Sequence, residues 1–236
     1  MDTNRTEYQN QQTSLRNAAL IAGLCVLLMA LTVPVVEFYI FPKLVNYQDP
    51  AETAHHIRNN KLLFTTTIFI HFLTVICDLV STWALYIFLK PVHKSLALLA
   101  GWFRLVQPAF TIAAMLNLVQ VLSLLKSSEN FSAIEPGQVN DLVLFYINSF
   151  YLQWRLGLVF FGIYLCVLGY LVFRSGYVPK LIGIFLIIAG LGYVIEDLKP
   201  FFYPGYDTGF LWFTFFGELI FMAWLLLKGS RIQVPK

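Results

Sequence analysis

Six apolar runs, each long enough to cross a lipid bilayer, constrain this chain more than any other feature. A hydrocarbon layer of ~30 Å takes about 20 residues of helix. The runs fall at 17–40, 62–89, 96–125, 150–173, 180–198 and 209–227. They imply an all-α fold, a polytopic bundle of six transmembrane helices in a single domain over 1–236. Composition agrees, because 12% of the residues are charged where a soluble domain carries about 25%. The net charge of +3 gives no case for a nucleic-acid partner; the expected partner is the lipid bilayer. The first run is too long for a cleaved signal and no small-x-small site follows it.

Basic residues near the run ends set an orientation. With the N-terminal segment 1–16 inside, the inner segments hold Arg5, Arg16, Lys90, Lys94, Arg174, Lys180, Lys228, Arg231 and Lys236, which is nine. The outer segments hold Lys43, Arg58, Lys61, Lys126 and Lys199, which is five. Both termini are therefore expected in the cytoplasm, with outer loops at 43–60 and 126–149. In the first loop, Asp49-Pro50 reads as the start of a short interfacial helix. In the second, "VNDLVLFYINSFYLQW" reads as a segment lying along the interface before turning inward.

Charges inside apolar runs are costly and normally face a bundle interior or a water-filled cavity. "GWFRLVQPAF", residues 101 to 110, places Arg104 inside the third run. Counted from the run ends at about 1.5 Å per residue, Arg104, Asp78 and Glu218 lie near one depth. Arg104 is thus expected to pair with Asp78, and Glu218 joins the same level. One arginine between two acids leaves a net negative charge unless one acid is protonated. In the second run Thr67, His71, Thr74, Asp78 and Thr82 form one polar stripe at helical spacing. Arg104, Gln107 and Thr111 share a face beside Pro108, which is expected to kink the helix. Thr214 and Glu218 share a face of the last run. Asn117 and Gln120 find no place on a straight third helix. A second polar group nearer the outer surface holds Glu37, Arg155, Glu196 and Asp197, with Glu37–Arg155 as the expected ion pair.

Small residues mark helix contacts, since they let backbones approach in lipid. Ala19, Gly23 and Ala30 share a face of the first run, Gly162, Cys166 and Gly169 of the fourth, and Gly183 and Gly190 of the fifth. Cys25, Cys77 and Cys166 form no disulfide framework and read as small core residues. His55 and His56 are adjacent and His71 is isolated, so no metal site is expected. No G-x-S-x-G supports a serine nucleophile at Ser81, and no cofactor is expected.

"FFGIYLCVLGYLVFRSGYVPKLIGIFLIIAGLGYVIEDL", residues 160 to 198, resembles a family of bacterial six-span membrane proteins catalogued as a domain of unknown function. The resemblance lies in Phe173, Arg174 and Ser175, in the loop Val178, Pro179 and Lys180, and in Gly183, Gly190, Gly192 and Tyr193. "GWFRLVQPAF" is similar to that family's third span, in which Glu commonly follows the Arg by three residues. Here Gln107 stands in that place, which shifts the pairing of Arg104 onto Asp78 and Glu218. The resemblance implies the fold and the inner membrane of a bacterial cell, and no activity. The leading functional expectation is binding or translocation of a small amphiphilic or lipid-like ligand. It would sit in a polar cavity lined by His71, Thr74, Asp78, Arg104, Gln107 and Glu218. The alternatives are a membrane-embedded enzyme using Asp78, Glu218 or His71 as acid and base, and a structural protein with no ligand.

Overall fold

The computed structural model describes residues 2–127, 135–203, 205 and 215–232. The chain forms α1 (Asp2–Val35), a π-helical turn (Val36–Ile40), α2 (Phe41–Leu44), α3 (Pro50–Asn59), α4 (Lys61–Leu89), α5 (Lys94–Ser127), α6 (Pro136–Arg174), α7 (Lys180–Phe202) and α8 (Phe216–Lys228). No strand occurs among the described residues. Five segments are long and apolar enough to cross a membrane: Gln12–Leu44, Lys61–Leu89, Lys94–Lys126, Gly137–Arg174 and Lys180–Phe202. Of the sixth expected run, 209–227, the described residues include α8, and Thr214 lies outside them.

The six long helices close into a ring. α1 packs on α4, α4 on α5, α5 on α6, α6 on α7, α7 on α8, and α8 returns to α1. Each helix therefore has two flanks in contact, one inward stripe and one outward stripe. The outward stripe carries Leu31, Phe69, Trp83, Trp102, Leu116 and Phe145, all exposed. On a soluble protein so much bare apolar surface would drive association; here it meets lipid. Arg16 on α1 donates to the Ile232 carbonyl at 3.3 Å, so the two described chain ends lie at one end of the bundle.

Two apolar clusters divide the interior. One holds Ala22, Leu85, Phe88, Ala97, Leu168, Leu171, Leu186 and Leu225, at the end that carries the α6–α7 turn. The other holds Ile40, Leu44, Ile57, Phe64, Leu118, Val121, Val143 and Phe150, at the end that carries α3. The polar stripe of α4 and the Arg104–Thr111 face of α5 fall between them in sequence and in the stack.

The α6–α7 contact rests on glycine. A Cβ at Gly183 would stand 2.6 Å from the Gly169 carbonyl oxygen, and one at Gly190 2.5 Å from that of Gly162. The expected small faces of the fourth and fifth runs therefore meet each other. The connecting turn is fixed by Gly176 at φ +72°, a left-handed conformation that glycine adopts without strain. Tyr177 in that turn donates to the Phe88 carbonyl at 2.6 Å, satisfying an orphan acceptor at the C-terminal end of α4. In the 43–60 segment Asp49 caps α3 as expected, accepting from the Glu52 amide at 3.0 Å.

The segment 126–149 departs from expectation. α5 continues through Ser127, and α6 is one helix of 39 residues, with no turn between an interfacial part and a spanning part. At 1.5 Å per residue that is roughly 58 Å, well beyond the hydrocarbon layer. The cause is one apolar face, Val139, Val143, Ile147 and Phe150, in register with the spanning part and fully buried. It packs with Leu118, Val121 and Leu125 of α5 and Ile57 of α3, so the helix is held by protein where the membrane ends. Pro108 lies inside α5 without interrupting it.

The glycine contacts give a direct test. Gly183→Ala and Gly190→Ala push a methyl into backbone and should each lower stability by about 1–3 kcal/mol. Gly137 in the first turn of α6 has nothing within 4 Å of an added Cβ, so Gly137→Ala should be neutral or stabilising by up to about 1 kcal/mol. Thermal unfolding in one detergent compares the three variants. Equal losses would show that α6 and α7 are not in backbone contact.

Candidate functional site: a polar layer around Arg104

α4 presents its stripe inward as the spacing predicts. Thr67, His71, Thr74, Asp78, Ser81 and Thr82 are all buried. The hydroxyls mostly serve their own helix. Thr74 donates to the Ile70 carbonyl at 2.9 Å and Thr82 to the Asp78 carbonyl at 2.6 Å. Such back-bonding is available to any threonine in a helix, so the stripe alone does not define a ligand site.

Arg104, 3% exposed, reaches from α5 to α4. Its Nη2 donates to Asp78 Oδ1 at 3.0 Å and to Ser81 Oγ at 2.8 Å. The guanidinium carbon lies 4.8 Å from the Tyr164 ring centroid and 5.4 Å from that of Phe161, both on α6. An arginine stacked on aromatic faces gains cation–π attraction, most when desolvated. Arg104 Nε, Gln107 Oε1 and the Tyr164 hydroxyl remain without a hydrogen bond of acceptable geometry, and that hydroxyl lies close to the guanidinium. Pro108 removes the amide that would bond the Arg104 carbonyl.

Glu218 lies within electrostatic reach of Arg104 and Asp78, as its depth suggests. It forms no ion pair with Arg104 among the described residues. Its hydrogen-bond neighbour is the Tyr193 side chain of α7. The inside of the ring thus gathers Asp78 and Ser81 from α4, Arg104 from α5, Tyr164 from α6, Tyr193 from α7 and Glu218 from α8. α1 adds Cys25, whose thiol lies near Cys77 of α4.

His71 is elsewhere. Its ring packs 5.0 Å from Phe150 and 6.2 Å from Trp154 of α6, and Nε2 has no partner. Two hollows lie near the layer, and neither touches His71. One, of about 460 Å³, is an open apolar groove on the lipid face of α5 along Trp102, Leu105, Val106, Ala109, Phe110 and Ala113. The other, of about 10 Å³, adjoins Arg104. On the His71 side of the expected void, aromatic rings from α6 pack against the imidazole. Gln107 turns to Thr111, donating to its hydroxyl at 3.0 Å, and does not meet Arg104. Asn117 donates across to Gln153 of α6 at 3.0 Å.

The expected Glu37–Arg155 pair does not form. Arg155 binds the end of α7 instead, with Nε on Asp197 and Nη2 on Glu196, each at 3.0 Å. Glu37 sits in the π-helical turn and accepts from the Tyr151 hydroxyl at 3.1 Å. α6 and α7 are glycine-packed neighbours, so Arg155 meets the acids of α7, while Glu37 reaches α6 about one turn earlier, at Tyr151. Among the described residues no group of three or more His, Cys, Asp or Glu is placed to hold a metal.

Residues 21–229 match a protein family described as a domain of unknown function, DUF4386. The chain belongs to this family. The match runs from the middle of α1 through α8 and takes in the whole polar layer. A relative in Archaeoglobus fulgidus, described as an uncharacterized protein, is 35% identical over 162 residues, which is 69% of this chain and 83% of that protein. No solved structure matches the chain.

The Arg104 pair carries a sharp energetic expectation. Removing one partner of a buried pair strands a charge and costs about 3–5 kcal/mol, while replacing both is often neutral. Arg104→Ala should therefore destabilise strongly. Arg104→Gln with Asp78→Asn should be milder than either single change, measured as a double-mutant cycle of thermal stability. Strictly additive losses would mean that the two groups do not interact.

Proposed function

We propose that the protein binds or translocates a small amphiphilic, lipid-like molecule whose polar head meets Arg104. The observation that carries this reading is the character of the small cavity. Its polar end is made by Arg104, Tyr164 and Thr82, and it continues along Leu85, Leu89, Ala97 and Leu168. A head with hydrogen-bond acceptors suits the unsatisfied Nε and hydroxyl, and a chain suits the apolar continuation.

The size sets a condition. About 10 Å³ is at the lower limit for one water molecule, while ligand pockets span roughly 300–1,000 Å³. Binding therefore requires α4 and α5 to part. The wall where they meet is small-sided: Ala97, Ala100 and Gly101 line it, and a Cβ on Gly101 would come only to 3.6 Å of Thr82 Cγ2. The acid–base enzyme alternative loses support from His71, which aromatic rings separate from the cavity.

Location is part of the proposal. The nine-to-five excess of basic residues supports insertion in the inner membrane of a bacterial cell with both termini cytoplasmic. In a variant lacking the native cysteines, Asn59→Cys should react with an impermeant thiol reagent on intact cells and Ser95→Cys should not. The reverse pattern contradicts the orientation.

The ligand reading is tested on protein purified into nanodiscs, with bound lipid extracted and identified by mass spectrometry. Wild type should retain one amphiphile class in excess of the bulk lipid. Gly101→Leu fills the gap between α4 and α5 and should lose it. Tyr164→Phe removes one hydroxyl, worth about 1–1.5 kcal/mol, and should weaken retention about tenfold. Identical lipid complements in all three would refute the site.

A further inference from the structure

The Arg104 guanidinium reaches its gap already neutralised. Nη2 donates to Asp78 Oδ1 at 3.0 Å, and both residues are buried, each 3% exposed. Among the described residues that line the gap, Arg104 is the one charged side chain. The pair therefore offers an occupant hydrogen bonds and no net charge. Arg104 Nε–H has no partner, and neither has the hydroxyl of Tyr164, a residue 2% exposed. Both line the gap. A guanidinium only donates and a phenol O–H donates as well as accepts, so the fitting head is one that accepts.

The direction of the gap adds a second constraint. α5 begins at Lys94, so Arg104, ten residues on, lies roughly 15 Å from that end. That is about half of a ~30 Å hydrocarbon layer. The apolar lining of Leu85, Leu89, Ala97 and Leu168 runs from there toward the turn between α4 and α5. The gap thus has its polar end inside the membrane and its apolar end toward the surface, the reverse of a phospholipid in a leaflet. An ionised head carried to Arg104 would lose its water and add a negative charge that nothing in the gap offsets. An uncharged carbonyl head accepts the same hydrogen bonds without either cost. We propose that the ligand of the Arg104 gap is a neutral lipid with a carbonyl head, an isoprenoid quinone or an acylglycerol, and that the Arg104–Asp78 pair rejects phosphate and carboxylate heads. This deepens the amphiphile reading and rests on it.

A matched pair of probes tests the charge directly. Dioctanoylglycerol and dioctanoylphosphatidic acid share both chains and differ by one phosphate. A fully substituted decylbenzoquinone carries its carbonyls on a ring. Each is added to the full chain in phosphatidylcholine nanodiscs, and thermal unfolding is followed. A ligand at ~100 times its Kd raises the unfolding midpoint by about 5 °C or more. At least one neutral probe should do so for wild type at a concentration about tenfold or more below that required of the phosphatidic acid. Gly101→Leu should abolish the protection. The neutral probe that protects at the lower concentration assigns the head to ester or to quinone. Asp78→Asn removes the offsetting charge and should invert the preference, so that phosphatidic acid protects that variant better than dioctanoylglycerol. If Asp78→Asn does not fold, the wild-type comparison decides alone. Phosphatidic acid protecting wild type as well as the neutral probes, or a folded Asp78→Asn with the wild-type preference, overturns the neutral head and leaves the amphiphile reading standing. No protection by any probe, or protection unchanged in Gly101→Leu, overturns both.

Discussion

A guanidinium in the middle of a bilayer has few stable arrangements, and the rest of this structure is organised by the one adopted here. Arg104 meets Asp78 and Ser81 on the neighbouring helix and stacks on Tyr164. That arrangement needs four side chains from α4, α5 and α6 to converge, so it fixes the rotation of those helices about their axes. The two apolar clusters above and below the layer keep lipid and bulk water away. The same exclusion strengthens the charge pair and makes any imbalance within it expensive.

Lipid supplies no hydrophobic drive between helices, so close packing and polar contacts must hold them. The ring uses both. α6 and α7 meet through glycine against carbonyl and are locked at one end by Arg155 on Glu196 and Asp197. α4 and α5 are joined by Arg104 on Asp78 and Ser81, beside a wall of small side chains that leaves a gap. A glycine-tight seam thus contrasts with a gapped, charge-held one. The gapped seam is where the proposed ligand would enter.

Much of this was legible in the sequence, for physical reasons that also explain what was not. Run length exposed the spanning helices, and matched depth brought Asp78 to Arg104, because rise per residue is nearly invariant in a helix. Depth does not resolve which of two groups a turn apart on α6 a side chain reaches, so Glu37, which meets Tyr151, was assigned Arg155, which pairs with α7. Periodicity did contain the continuous α6: Val139, Val143, Ile147 and Phe150 keep helical spacing into the spanning part. That stretch was expected along the interface instead, with a turn before the spanning part. Ser81 lay three residues from Asp78, close enough to have been named as a partner. Tyr164 and Tyr193 were hidden among many aromatics. His71 could not be resolved from its own helix, since the rings of Phe150 and Trp154 that enclose it come from α6.

The central claim is that Arg104 is held inside the ring by Asp78 and Ser81, beside an unsatisfied donor that faces a gap. Electron cryomicroscopy of the protein in a lipid nanodisc, at a resolution that shows side chains, tests it most directly. The account predicts the guanidinium on Asp78 and Ser81, with ordered density against Arg104 Nε and the Tyr164 hydroxyl between α4, α5 and α6. An Arg104 side chain extended toward the lipid headgroups, with Asp78 paired elsewhere, would contradict it.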